Sequence, residues 1–126
     1  RVYHHTAPIN SMYAIYQGLC DLKSEGLSKA IDRHLKVHNI LVEGLGKIGI
    51  KMLVDKEYRL PSLNAVIIPE GVDDMKIRGQ LLLEHDIEIG AGLGPFSGKI
   101  WRIGLMGYSA KVSNVERLLD ALNKLL

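Results

Sequence analysis

The chain has 126 residues, enough for one domain with a real core. Its 47% apolar and 24% charged composition is globular, which argues against a disordered or fibrous chain, and a net charge of +2 singles out neither nucleic acid nor an anionic membrane as partner. The one cysteine, Cys20, excludes an internal disulfide framework, and in its apolar run it reads as a reduced, buried thiol. An intracellular location is therefore expected, the cytoplasm first, with peroxisome or mitochondrion open for a eukaryotic source. No apolar run approaches the ~20 residues that span a bilayer. The opening Arg1-Val2-Tyr3-His4-His5 carries no basic-then-apolar signal and no Met, so the chain reads as part of a longer polypeptide.

Asn10 or Ser11 is a cap candidate for a first helix over about residues 10–25, behind Pro8. Met12, Ile15, Tyr16, Leu19, Cys20 and Leu22 form its apolar stripe. Gly26 ends it. Ser28 restarts a second helix over about 27–47, with Ile31, Leu35, Val37, Ile40, Leu41 and Leu45 inward and Gly46 and Gly49 at its end. The period then changes. Residues 50–54 read as a short strand, 55–61 as a polar connector and 63–68 as a buried strand closed by Pro69 and Gly71. Asp73 or Asp74 starts a third helix carrying Met75, Ile77, Leu81, Leu82 and Leu83. Residues 86–89 read as a strand, 90–98 as a glycine-rich loop and 99–106 as another strand. Ser113 caps a last helix with Val115, Leu118, Leu119, Leu122 and Leu125 on one face. The order α-α-β-β-α-β-β-α predicts an α+β fold, a small antiparallel or mixed sheet covered on one face by helices. No repeat or linker divides residues 1–126.

Several motifs invite a chemical reading and fail on spacing. The loop Gly90-Ala91-Gly92-Leu93-Gly94-Pro95-Phe96-Ser97-Gly98-Lys99 resembles a nucleotide loop. Its third glycine comes one residue early for G-x-G-x-x-G, and a strand follows where a helix is needed. For a P-loop, the residue five before Gly98 is Leu93, and Lys99 precedes Ile100 rather than Ser or Thr. A close backbone approach is the better account of the glycines. His34 and His38 share a helix face, but Leu35 stands where a metalloprotease needs Glu, and no third ligand is near, so an exposed polar face is expected and no metal. His85 falls at a helix end, where a cation suits the dipole. His4 and His5 are neighbours in an extended stretch and should point to opposite sides, which suits hydrogen bonding better than chelation.

Arg102 is the most informative charge, since it interrupts Ile100-Trp101-Arg102-Ile103-Gly104-Leu105-Met106. A charge in so apolar a strand is costly unless paired. Two readings stay open on residue types alone: an ion pair, for example with Glu88, or a guanidinium fork for a substrate carboxylate.

Taken together, Tyr3-His4-His5-Thr6-Ala7-Pro8, the run from Asp86 to Pro95, and Gly98-Lys99-Ile100-Trp101-Arg102-Ile103-Gly104-Leu105-Met106-Gly107 resemble the C-terminal region of alanine-glyoxylate (serine-pyruvate) aminotransferases. These are class V, fold-type I enzymes that use pyridoxal 5'-phosphate. The resemblance covers essentially the whole chain. It implies transfer of an amino group from alanine or serine to glyoxylate or pyruvate, or from another small donor such as ureidoglycine. A non-catalytic interaction module is the reading from a different class. By position, the resemblance implies that Arg102 binds the substrate carboxylate. It implies that Tyr3 and Thr6 reach the cofactor phosphate of the partner subunit in a homodimer, and that Gly92 lies in an active-site loop. The Schiff-base lysine belongs to an upstream large domain, so no lysine of this chain is assigned that role and the fragment alone is expected to be inactive.

Overall fold

A computed structural model describes residues 4–126. The described chain forms two compact units, one ending at Asp32 and the other spanning Arg33–Leu126.

In the first unit, helix α1 runs Ile9–Glu25. Its start differs from the expected Asn10 or Ser11 cap. Pro8 holds the cap position with φ −75°, no side chain caps the helix, and Met12 N–H donates to the Pro8 carbonyl at 3.0 Å. Ile9 N–H donates to the Ala7 carbonyl at 2.8 Å, and the fixed φ of Pro8 leads the chain into the first turn without a side-chain cap. Gly26, at φ +90°, ends α1 by donating to the Leu22 carbonyl. The apolar stripe is present but exposed: Met12, Ile15, Tyr16, Leu19 and Leu22 all remain accessible, and Cys20 is half-buried rather than buried. Helix α2 spans Leu27–Lys47, the range expected from the sequence. Ile31, at its first turns, is exposed too.

The second unit holds the core. Val37, Leu41 and Leu45 of α2 are fully buried, whereas Leu35 is exposed. Helix α2 stops at Lys47, and Gly49, with φ +78°, lets the chain turn. Residues 50–54 do not form the expected strand. They make one bridge, Met52 to Val66, with backbone bonds from Leu53 N–H to the Ala65 carbonyl and from Ile67 N–H to the Lys51 carbonyl. The chain then leaves the sheet in a 3₁₀ turn, Lys56–Tyr58.

Strand β1 is Leu63–Ile67, helix α3 Asp74–His85, strand β2 Gly90–Ala91, strand β3 Ile100–Gly104 and helix α4 Val112–Leu125. The sheet order is β1-β3-β2, antiparallel throughout. Asp73 caps α3 as expected, its carboxylate accepting from Lys76 N–H at 2.9 Å. Residues 86–89 are not a strand. Asp86 takes a left-handed conformation, φ +53°, and closes α3 by donating to Leu82, while Ile87 N–H donates to Leu81. Their backbone groups end the helix, so pairing starts only at Gly90. Helix α4 begins at Val112 with Lys111 at the cap, so Ser113 lies inside the helix and does not cap it.

The α+β class and the element order hold, with the 50–54 segment reduced to its single bridge. Period-two alternation divides the sheet. Asn64 and Val66 of β1 and Trp101 and Ile103 of β3 are buried, with the core residues of α2, α3 and α4 on that side. Each buried Leu or Ile there contributes about 1.5–3 kcal/mol. In α3 only Ile77 and Leu81 join this core, while Met75, Leu82 and Leu83 stay exposed. The opposite face carries Leu63, Ala65, Ile67, Arg102 and Gly104, all partly or fully open. Ile100 shares its parity but is buried, beneath the glycine loop.

Candidate functional site: the open face of the sheet

Arg102 sits in the middle strand, opposite Ala65 of β1 and opposite Gly90 of β2. Its expected alternatives were an ion pair or a free fork. Its Nε donates to the Ala91 carbonyl at 2.8 Å. Among the described residues the guanidinium has no carboxylate partner, and Glu88 is exposed without pairing to it. The charge is tolerated because it lies on the open face, half-buried, with one donor satisfied and the rest accessible. Nη1 and Nη2 are left as a two-pronged donor set of the kind that matches a carboxylate.

A cavity of about 190 Å³ adjoins it, lined by Leu63 and Ala65 of β1, by Met52, Val54 and Leu60, and by Arg102 itself. Arg59 also lines it, its Nε held at 2.8 Å by the Val54 carbonyl. Sequence inspection passed over Arg59, which looked like part of a polar connector. The arrangement is a small, largely apolar recess with guanidinium charge at its wall, suited to a compact anion with a short apolar body.

The loop from Gly92 to Gly98 folds back on its own strand. Gly92 N–H donates to the Ile100 carbonyl at 3.0 Å. A Cβ at Gly92 would stand 2.0 Å from the Phe96 carbonyl oxygen, so the close approach expected of this loop is to its own backbone. Gly92 thus follows directly after β2 and pairs with Ile100, two residues before Arg102 on β3. Thr6 lies in the first unit, exposed, and Tyr3 falls outside the described residues.

Behind Arg102, Trp101 is fully buried, and its indole N–H donates to Asp74 Oδ1 at 2.9 Å. Asp74 also accepts from Arg78 at 2.7 and 3.1 Å. The Arg78 guanidinium is the main cause holding the Asp74 carboxyl below the usual carboxylate range, with Trp101 assisting against the opposing effect of burial. This network ties α3 to the strand that carries Arg102.

The histidines resolve into structural contacts. His38 is not on an exposed face: it is buried, its Nδ1 2.7 Å from Asn64 Oδ1. His34 Nε2 accepts from Gly107 N–H at 3.0 Å, and Arg33 donates to the Gly107 and Ala110 carbonyls, bracing the turn after β3. His85 ends α3, and its carbonyl accepts from Arg117. His4 and His5 do not point to opposite sides. Their Nδ1 atoms are 2.6 Å apart, because the local bend turns the two rings toward each other. No group of metal-ligating side chains is found among the described residues.

No family model matches the chain. Individual relatives do. All 126 residues align at 36% identity with the (S)-ureidoglycine–glyoxylate transaminase of Bacillus subtilis, spanning 30% of its length. The alanine–glyoxylate aminotransferase of Mus musculus aligns over 127 residues at 38% identity, again with all of this chain and 31% of the relative. The crystal structure of alanine–glyoxylate aminotransferase from Nostoc sp. superposes with a TM-score of 0.93 at 48% identity, covering 99% of this chain and 33% of that one. The chain is the C-terminal small domain of a class V aminotransferase. It spans about a third of the length of the relatives it matches. The family drawn from the Tyr3–Pro8, Asp86–Pro95 and Gly98–Gly107 stretches therefore holds. In this aminotransferase domain Arg102 brings guanidinium donors without a partner among the described residues to the open face of the sheet.

Proposed function

We propose that this domain works within a longer pyridoxal-phosphate enzyme that moves an amino group from alanine or serine to glyoxylate or pyruvate. The observation that carries the reading is Arg102, whose Nε is satisfied by the Ala91 carbonyl and whose two Nη groups have no partner among the described residues. Relatives named for glyoxylate as substrate support it.

The residues present fit a cofactor held mainly elsewhere. Thr6 offers an exposed hydroxyl, suited to donate to a phosphate oxygen of the partner subunit's cofactor, and Tyr3 is assigned the same role. The Schiff-base lysine, like the rest of the cofactor pocket, belongs to the large domain. Pyridoxal phosphate, when bound, supplies an electron-withdrawing ring that stabilises negative charge at the substrate α-carbon.

This chain's share is binding and orientation. A carboxylate received by Nη1 and Nη2 makes two charge-assisted bonds in one plane, which fixes its rotation as well as its position. Orientation matters because the α-proton must face the base that removes it. The apolar lining beside Arg102 limits competing water. Glyoxylate, the smallest α-oxo acid, offers little besides its carboxylate, so the arginine supplies most of its binding. The enzyme is proposed to act as a homodimer in which each subunit completes the other's site. Ureidoglycine is a second candidate donor, favoured by the Bacillus relative.

The test is a donor and acceptor panel with the full-length enzyme: alanine, serine and ureidoglycine against glyoxylate and pyruvate. Turnover with alanine or serine is expected to lead. Activity confined to ureidoglycine would favour the second donor, and no transamination with any pair would refute the proposal. Residues 1–126 alone should show neither turnover nor pyridoxal absorbance.

A further inference from the structure

Gly90 and Arg102 are directly opposed in the β2–β3 register. Opposed residues project to the same face with their Cβ atoms about 4.5–5.5 Å apart. A Cβ at position 90 would meet Arg102 and nothing nearer: Cβ, Nε and Nη2, each at 3.4 Å. That is ordinary contact, and Gly90 is not among the glycines with positive φ. Neither backbone conformation nor crowding therefore calls for glycine here. What a side chain would change is the surroundings of the guanidinium.

Two successive residues of β2 thus act on one arginine. The Ala91 carbonyl takes Nε at 2.8 Å and sets the plane of the guanidinium. Gly90 sets no side chain against Nε and Nη2, where a Cβ would stand 3.4 Å from each. With Nε occupied, the incoming carboxylate must be received end-on by Nη1 and Nη2. The geometry points to Gly90 as a positioning residue for monocarboxylate binding: its missing side chain keeps the fork uncovered and free of an internal competitor. This rests on the proposed role of Arg102.

A charge test separates this role from packing. Gly90→Asp places a carboxylate within reach of Nη2, where it competes with the substrate, while Gly90→Asn has the same size without the charge. In the full-length holoenzyme, calorimetric titration with propionate, a non-reacting monocarboxylate, should give a Kd about ten- to a hundredfold weaker in G90D than in G90N, the factor expected for losing charge-assisted hydrogen bonds. KM for glyoxylate should follow, with kcat differing between the two by less than about threefold, since bound substrate is still oriented by the same fork. In an Arg102→Gln background the Asp–Asn gap should vanish. Gly90→Glu and Gly90→Gln repeat the comparison if an Asp or Asn variant fails to load cofactor. A normal loss of affinity in R102Q with equal Kd in G90D and G90N, or a gap that survives in R102Q, overturns the role of Gly90 alone. Unchanged affinity in R102Q overturns the Arg102 clamp as well.

Discussion

Asp74 holds the back of the site together, and its removal has a calculable cost. Its Oδ1 accepts the indole N–H of Trp101 at 2.9 Å, and Trp101 is wholly buried beside Arg102. Asp74→Ala strands that N–H, at a cost of about 1–3 kcal/mol. It also breaks the part-buried i,i+4 pair with Arg78, which as a helix pair contributes at least about 0.2–0.5 kcal/mol. Loss of an acid in the first turn of α3 adds about 0.3–1 kcal/mol. The sum is about 1.5–4.5 kcal/mol, measurable by equilibrium urea unfolding. The pH dependence follows from the depressed carboxyl. A group whose folded pKa lies below its unfolded value stabilises fully above the unfolded value of about 3.9 and loses that contribution as pH falls toward the folded one. The D74A penalty should therefore be full at about pH 7 and smaller below about pH 4. A penalty under about 0.5 kcal/mol, or one that is the same at both pH values, would refute the network as described.

Further expectations concern the core and the loop. Asn64→Ala leaves the buried His38 ring without its partner and should cost about 1–3 kcal/mol in the same assay. Gly92→Ala forces a Cβ toward the Phe96 carbonyl and should lower stability by about 1–3 kcal/mol or more, with a clear fall in Tm. Gly90→Ala meets only ordinary contacts and should change stability by less than about 0.5 kcal/mol. Leu41→Ala, at a fully buried position of α2, should cost about 2–5 kcal/mol.

Sequence periodicity located the helices to within a residue or so, because apolar spacing and Gly26, Gly49 and Asp73 act locally. It misplaced the caps at Asn10 or Ser11 and at Ser113, where proline or plain backbone starts the helix. It failed at 50–54 and 86–89 for a tertiary reason. Both stretches carry strand-like residues, but the backbone of the first leaves the sheet after one bridge, and that of the second is used to close α3. His38 also escaped the pattern: only the fold shows that Asn64 on β1 meets it in the interior. In the site, Arg102 was legible because a charge in an apolar strand demands an explanation. The Ala91 carbonyl, the bare flank at Gly90 and the nearby Arg59 were not legible, since all three depend on strand register or on a loop returning to the sheet. The paired histidines that open the chain attracted a chemical reading, yet they contact each other.

The central claim is that Arg102 receives the substrate carboxylate, and steady-state kinetics of the full-length enzyme test it most directly. Arg102→Ala removes a bidentate charge-assisted contact and should lower kcat/KM for alanine, serine and glyoxylate alike by about a hundredfold or more. Arg102→Lys keeps the charge but loses both the fork and the Ala91 bond, and should recover only a small part of that loss. Wild-type kcat/KM in Arg102→Ala, with cofactor bound and the fold intact, would contradict the account.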